Sequence, residues 1–319
     1  MPDRRRKQTK SIGVLLMAYG GPLSLDEVEP YLLDVRGGRP MTAEFLEEVR
    51  QRYRLIGGRS PLLDITLAQA AALQQQLGAP FKVYVGMRHW HPYIADVVAE
   101  MARDEVSEVV ALCMAPQYSA LSIGAYYRQF DEALQKTGLA APVRRIESWC
   151  EDPGFLDALA ARTRATLKRF PSAERLATPL LLTAHSLPVG LASAADPYVD
   201  QLEKTARGLL ARLRPSITRL AYQSASRTSQ VPWLGPDAGD VITAYAKEGY
   251  RGVVLVPIGF VADHVEILYD IDIVYFRQAD ELNMRLERSE SLNDSPDFIA
   301  ALARLVEQAR SAEPAAAGP

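Results

Sequence analysis

Strand-like runs, several of them apolar and rich in branched residues, recur along the whole chain of 319 residues and alternate with amphipathic stretches. The runs fall at 11–17, 81–87, 108–115 and 142–148, then at 179–184, 218–224, 252–259 and 284–289. Stretches with helical period lie at 25–35, 43–55, 66–77, 93–103, 121–136, 155–169, 197–213, 238–248 and 296–310. A strand buried on both faces needs a continuous apolar run, and a parallel neighbour needs a long crossover. The alternation therefore predicts an α/β fold of parallel sheets flanked by helices. A chain of this length exceeds one ordinary core, so two domains are expected, 11–149 and 150–295. The halves also echo one another. GVLLMAYGGP (13–22) matches PLLLTAHSLP (179–188), and VVALCMAP (109–116) matches VVLVPIGF (253–260). The echo sets Tyr19 and His185 at equivalent strand ends facing a shared cleft.

Open α/β sheets carry their chemistry at the carboxyl ends of the strands. Two such ends are rich in ionisable residues. One is the run Leu180 to Pro188, which contains His185, one of only four histidines. The other is VLVPIGFVADHVEILYDID (254–272), where an apolar run gives way to Asp263, His264, Glu266, Asp270 and Asp272. His185 reads either as a hydrogen-bonded histidine capping the next turn or as a general base or metal ligand. Glu266 and Asp270 are four apart, share a face on a helix and repel each other. Ile267, Leu268 and Ile271 beside them are apolar, so the acids line a cleft rather than a solvated face. Asp263 fits a helix N-cap. His89 and His91, ahead of Pro92, read as a solvated loop.

Other patterns narrow the function. Tyr19-Gly20-Gly21-Pro22 is neither a dinucleotide fingerprint nor a phosphate loop, and Pro22 lacks an amide donor. A net charge of −3 and a pI near 5.9 give no basic field for nucleic acid. Cys113 and Cys150 have no metal-ligand spacing and suit a reduced, cytoplasmic protein. Residues 1–10 and 12–18 imitate a signal peptide but lack its cleavage pattern, so 1–10 reads as a tail, as does 312–319. No run approaches the ~20 apolar residues of a membrane span. Arg36, Arg39, Arg52, Arg54, Arg59 and Ser60 bring anion-binding groups together early in the chain, and each alone also fits ordinary surface charge. Trp233, in a proline-rich loop, and Tyr118, Tyr126 and Tyr127 offer flat walls for an apolar ligand.

Taken in order, GVLLMAYGGP, YRLIGGRSPL, APQYS, TAHSLP, DPYVDQL, PWLGPD and GFVADHVEILYDID resemble the ferrochelatases over about residues 12–311. That resemblance implies two Rossmann-like domains with a porphyrin in the cleft between them, and a last helix, 296–311, packing back on the first domain. It implies insertion of Fe²⁺ with release of two protons, as a lyase of haem biosynthesis. His185 and Glu266 are then the catalytic pair and the metal donors, with Tyr19 facing them across the ring. Asp270 continues a lane for protons or metal. Arg36, Arg52, Ser60 and Tyr126 resemble propionate-binding positions, and Trp233 is assigned to the substrate wall. A tyrosine at position 19 resembles the branch acting on coproporphyrin III rather than protoporphyrin IX. The resemblance further implies transient contact with neighbouring haem-pathway enzymes. Val274 stands where relatives often carry a third acid, which shortens the lane, and Arg36-Gly37 replaces a paired arginine. Without a cysteine cluster no iron–sulfur cluster is expected, and no cofactor beyond the Fe²⁺ substrate. A non-catalytic haem or porphyrin carrier, or a chelatase for another metal or tetrapyrrole, are the alternatives. A carrier needs an axial ligand but no second acid.

Overall fold

The computed structural model describes residues 11–190, 196–225 and 231–311; the tails expected at 1–10 and 312–319 lie outside the described residues. The first half runs β1 (Ile12–Ala18), α1 (Val28–Val35), α2 (Ala43–Leu55), α3 (Leu62–Leu77), β2 (Phe81–Met87), α4 (Ile94–Arg103), β3 (Glu108–Cys113), α5 (Ile123–Thr137) and β4 (Val143–Ile146). The second runs α6 (Pro153–Leu167), β5 (Leu180–His185), α7 (Tyr198–Leu213), β6 (Thr218–Gln223), α8 (Ala238–Lys247), β7 (Gly252–Pro257) and α9 (Val265–Leu268). A π-helical turn (Asp270–Tyr275), α10 (Phe276–Glu281), β8 (Arg285–Arg288) and α11 (Pro296–Ser311) complete it.

The strands form two four-stranded sheets, β2-β1-β3-β4 and β6-β5-β7-β8, and every pairing is parallel. The order is the same in both, so β5 repeats the place of β1 and β7 that of β3. Each sheet reverses direction beside its first strand, which opens a crevice at the carboxyl ends there. Tyr19 follows β1 and His185 ends β5. The matching decapeptides thus occupy matching strands.

Burial explains the continuous apolar runs. Leu16 pairs in register with Val85 and Leu112, and Leu182 with Leu220 and Val256; both leucines are fully buried. Leu16, Leu182, Val254, Phe298 and Leu302 belong to one apolar cluster, so the inner faces of the two sheets share a core. Helices α4 and α5 cover the other face of the first sheet through Ile94, Val98 and Phe130. Ile242, Tyr245 and Ile271, from α8 and the π-helical turn, cover that of the second. Helix α11 packs on α3 and β4 of the first half and on α6 of the second. Polar ties join the halves as well. The Gln117 amide donates to Thr205 Oγ1 at 3.0 Å and to the Ile258 carbonyl at 3.1 Å. Asp196 accepts from Ser119 Oγ and the Ala120 N–H, both at 2.9 Å.

The main departure from the sequence pattern lies after β7. Asp263 does not cap a helix: His264 holds that position, and α9 lasts four residues before the backbone widens into the π-helical turn. There the Val274 N–H reaches the Tyr269 carbonyl, five residues back, at 3.0 Å. Val274 packs against the apolar cluster of the second sheet. No helix among the described residues is long and apolar enough to cross a membrane.

Candidate active site

A cleft of about 360 Å³ opens where the two sets of strand ends meet, and Tyr19, Ser60, Arg88, Tyr126, His185 and Glu266 all line it. His185 is the last residue of β5, and its backbone is fixed on both sides. The Tyr198 hydroxyl donates to the His185 carbonyl at 2.9 Å, and the Ser186 N–H donates to the Gln223 carbonyl at 2.9 Å. The Nδ1–H of the His185 ring donates to the Ser186 carbonyl. A carbonyl can only accept, so this contact assigns a proton to Nδ1 and leaves Nε2 as the reactive nitrogen. Nε2 faces Glu266 Oε1 at 3.4 Å.

Glu266 stands in the first turn of α9. Its carbonyl accepts from the Gln223 side-chain amide at 2.8 Å, and its second oxygen lies 3.5 Å from His264 Nε2. Burial alone would keep both partners neutral, lowering the His185 pKa and raising that of Glu266. Their mutual attraction outweighs it. His185 is raised to about 9, and Glu266 is held well below the usual carboxylate range with further help from His264. The pair therefore rests as imidazolium and carboxylate at neutral pH. Asp270 accepts a hydrogen bond from the Ser224 hydroxyl. Burial, aided by the charge of Glu266, nonetheless raises its pKa above the ordinary value.

The opposite wall is built from the first sheet. Tyr19 is 40 % exposed, into the cleft, and its ring centroid is 4.7 Å from that of His89. Burial, with the charge of Glu266, pushes the phenol up to about 12, so it is neutral where the pair opposite is charged. Arg88 lies between two rings, its guanidinium carbon 6.0 Å from the Tyr19 centroid and 5.4 Å from that of Tyr126. Its Nε is buried with no partner. Ser60 is buried, with its N–H on the Pro22 carbonyl at 2.8 Å. A Cβ on Gly21 would lie 2.6 Å from Ser60 Cβ, so the turn after β1 requires glycine there.

Several sequence expectations take different positions. Arg36 is half-buried and folded into its own turn, donating to the carbonyls of Arg39 and Pro40 at 3.2 Å, and it does not line the cleft. Arg52 holds Glu48 at 2.6 Å with its guanidinium 5.4 Å from the Tyr269 ring, close enough for its charge to favour ionised Asp270. Trp233 stands beside His185, ring centroids 6.3 Å apart, without lining the cleft itself. His89 is not in a solvated loop: it is 8 % exposed, with Nδ1 2.8 Å from Asp34 Oδ1. Asp272, unassigned from sequence, pairs with Arg288. Arg88 was missed although it follows β2 directly, where the strand-end rule would have found it. Among the described residues no three His, Cys, Asp or Glu side chains are grouped to hold a metal ion.

The family model described as Ferrochelatase matches residues 11–310. A ferrochelatase of Deinococcus radiodurans is 44% identical over 304 residues, covering 94% of this chain and 96% of the relative. A protein of Oceanobacillus iheyensis named coproporphyrin III ferrochelatase is 38% identical over 305 residues, covering 94% and 97%. Among solved structures, a sirohydrochlorin chelatase of Bacillus subtilis with Fe³⁺ aligns with a TM-score of 0.60 at 10% identity, covering 94% and 95%. A cobalt complex of the enzyme from Bacillus subtilis subspecies spizizenii gives 0.57, also at 10% identity, covering 94% and 96%. At that identity the likeness concerns the fold.

Proposed function

The chain belongs to the ferrochelatase family, metal chelatases acting on porphyrins, and we propose that its cleft inserts Fe²⁺ into coproporphyrin III. The observation that carries this reading is the His185–Glu266 pair, 3.4 Å apart and facing the cleft that Tyr19 enters from the other sheet. Metallation replaces two pyrrole N–H protons with one dication, so the site must accept protons while supplying donors to a metal. In the resting pair the Nε2 lone pair is covered by a proton that Glu266 stabilises. An arriving dication repels that proton, which leaves to solvent, and takes over the same carboxylate, so binding of the metal substrate frees the imidazole. Freed Nε2 then either ligates the metal or accepts a pyrrole proton, and the carboxylate stabilises the imidazolium that results. Asp270, whose burial favours its protonated form relative to an ordinary aspartate, is the next acceptor outward. Two protein donors leave most of the coordination shell to water and the incoming pyrrole nitrogens.

Substrate choice follows from the wall chemistry. Coproporphyrin III carries four propionates and protoporphyrin IX two, so the former gains more from polar partners. Arg88 offers a buried, unpartnered Nε, and Ser60 and Tyr126 add further donors on the wall. The name carried by the Oceanobacillus relative points the same way. The test is anaerobic Fe²⁺ with each porphyrin, followed by the absorbance change of metallation. Faster turnover of coproporphyrin III is expected. Metallation of neither porphyrin overturns the enzyme assignment, and preference for protoporphyrin IX overturns the substrate. His185→Ala should abolish turnover while porphyrin still binds, measured by fluorescence quenching.

A further inference from the structure

The segment 289–295, between β8 and α11, contributes no residue to the cleft wall, yet it is bonded to the strand end that carries Glu266. Asn293 is its centre. It adopts a left-handed backbone, φ +45°, a conformation that asparagine tolerates better than most residues. Its N–H donates to the Val261 carbonyl at 2.8 Å, and its own carbonyl accepts from the Gln69 amide of α3 at 2.8 Å. Its side chain spans Asp263: Oδ1 accepts the Asp263 N–H at 2.9 Å, and Nδ2 donates to Asp263 Oδ2 at 3.0 Å. The remaining Asp263 oxygen accepts from Ser291 Oγ at 2.6 Å and lies 3.3 Å from Arg288. Arg288 also holds Asp272 with two bonds, at 2.6 and 2.9 Å.

We propose that Asn293 is a positioning residue for Glu266, and that the bracket Asn293–Asp263–Arg288–Asp272 sets where this carboxylate meets His185. Asp263 lies three residues before Glu266 and Asp272 six after, so the bracket pins both ends of the turn bearing the acid. A four-residue helix running into a π-helical turn has little rigidity of its own and needs such pins. The link through Gln69 matters equally, because Gln69 is fully buried in the opposite half and lines the cleft. One residue therefore registers the acid against both its own strand end and the wall across from it. Misplacing a reacting group by about 1 Å can cost on the order of a hundredfold in rate. The chemistry invoked is that proposed above; the bracket itself is a claim about geometry.

Asn293→Gly separates the two roles, since glycine keeps the left-handed backbone and both backbone bonds but removes the grip on Asp263. A roughly 10–100-fold fall in kcat is expected, with KM for the porphyrin and the thermal midpoint nearly unchanged. Unchanged kcat, or loss of kcat and porphyrin binding together with the fold, overturns the proposal. The exchange Asp263→Asn with Asn293→Asp rebuilds one amide–carboxylate contact in reverse, and it should restore rate that Asn293→Asp alone loses. A spectroscopic measurement needs no turnover. The ¹⁵N shift of His185 Nε2 in Asn293→Gly should move toward that of Glu266→Gln, and a shift identical to wild type overturns the proposal. Failure of wild type to metallate any porphyrin would instead count against the chelatase reading alone.

Discussion

Replacing Glu266 with glutamine keeps the volume of the side chain and the backbone carbonyl that Gln223 holds, and removes only the charge facing His185. An imidazole ordinarily titrates near 6.5, and His185 is raised to about 9, which corresponds to roughly 3 kcal/mol in favour of the charged ring. The side chain is 31% exposed, so solvent screening trims the net worth of the pair to about 2 kcal/mol. In Glu266→Gln burial acts unopposed by that charge, and the ring should titrate at or below its ordinary value. Long-range ¹H–¹⁵N spectra resolve this directly, because the chain has four histidines and His185→Ala identifies the signal. Stability follows with a definite sign. A histidine raised on folding contributes fully below its unfolded value of about 6.5 and loses the contribution as pH rises through about 9. Glu266 is depressed on folding, so its part is present above its ordinary 4.5 and fades as pH falls. The difference in Tm between wild type and variant should be widest between those two ordinary values and close as pH passes about 9. A His185 signal that titrates at the same pH in both proteins would refute the reasoning.

Further measurements test other parts of the structure. Arg88→Leu should weaken binding of coproporphyrin III about tenfold, the worth of one hydrogen bond to a charged group, yet leave its tetraester nearly unaffected; equal losses in a fluorescence titration would remove Arg88 from carboxylate recognition. Ser224→Ala removes a donor that stabilises ionised Asp270, so the carboxyl ¹³C titration of Asp270 should move upward; an unmoved titration would remove Ser224 from that role. Phe298→Ala empties a fully buried site shared by both halves and should cost about 3–5 kcal/mol in denaturant unfolding; a loss under 1 kcal/mol would contradict a common core.

What could be read from the chain beforehand divides along physical lines. The four central strands, β1, β3, β5 and β7, were legible because a parallel strand covered on both sides must be apolar throughout, and that leaves a run no local force disguises. His185 and Glu266 were legible for the converse reason, as ionisable residues where such a run stops. The environment of Asp263 was not, because its partner Asn293 is 30 residues away and an N-cap is the sensible local use of an aspartate there. His89 was misjudged likewise: Pro92 suggests exposure, whereas Asp34, 55 residues distant, keeps the ring inside. The π-helical turn left no trace, since i→i+4 and i→i+5 windings demand nearly the same apolar spacing over six residues.

The shared strand order has a stereochemical consequence. Equivalent positions in the two sheets deliver a neutral phenol, Tyr19, and a charged imidazole–carboxylate pair, so the walls match in topology and differ in electrical character. A flat macrocycle has no handedness of its own, but between such walls its two sides become distinguishable. In the mechanism proposed above, one side exchanges protons and the other meets only a phenol. A porphyrin carrying a single N-alkyl group should therefore be held in one orientation about the ring plane, with the substituent displaced from whichever wall the chemistry uses.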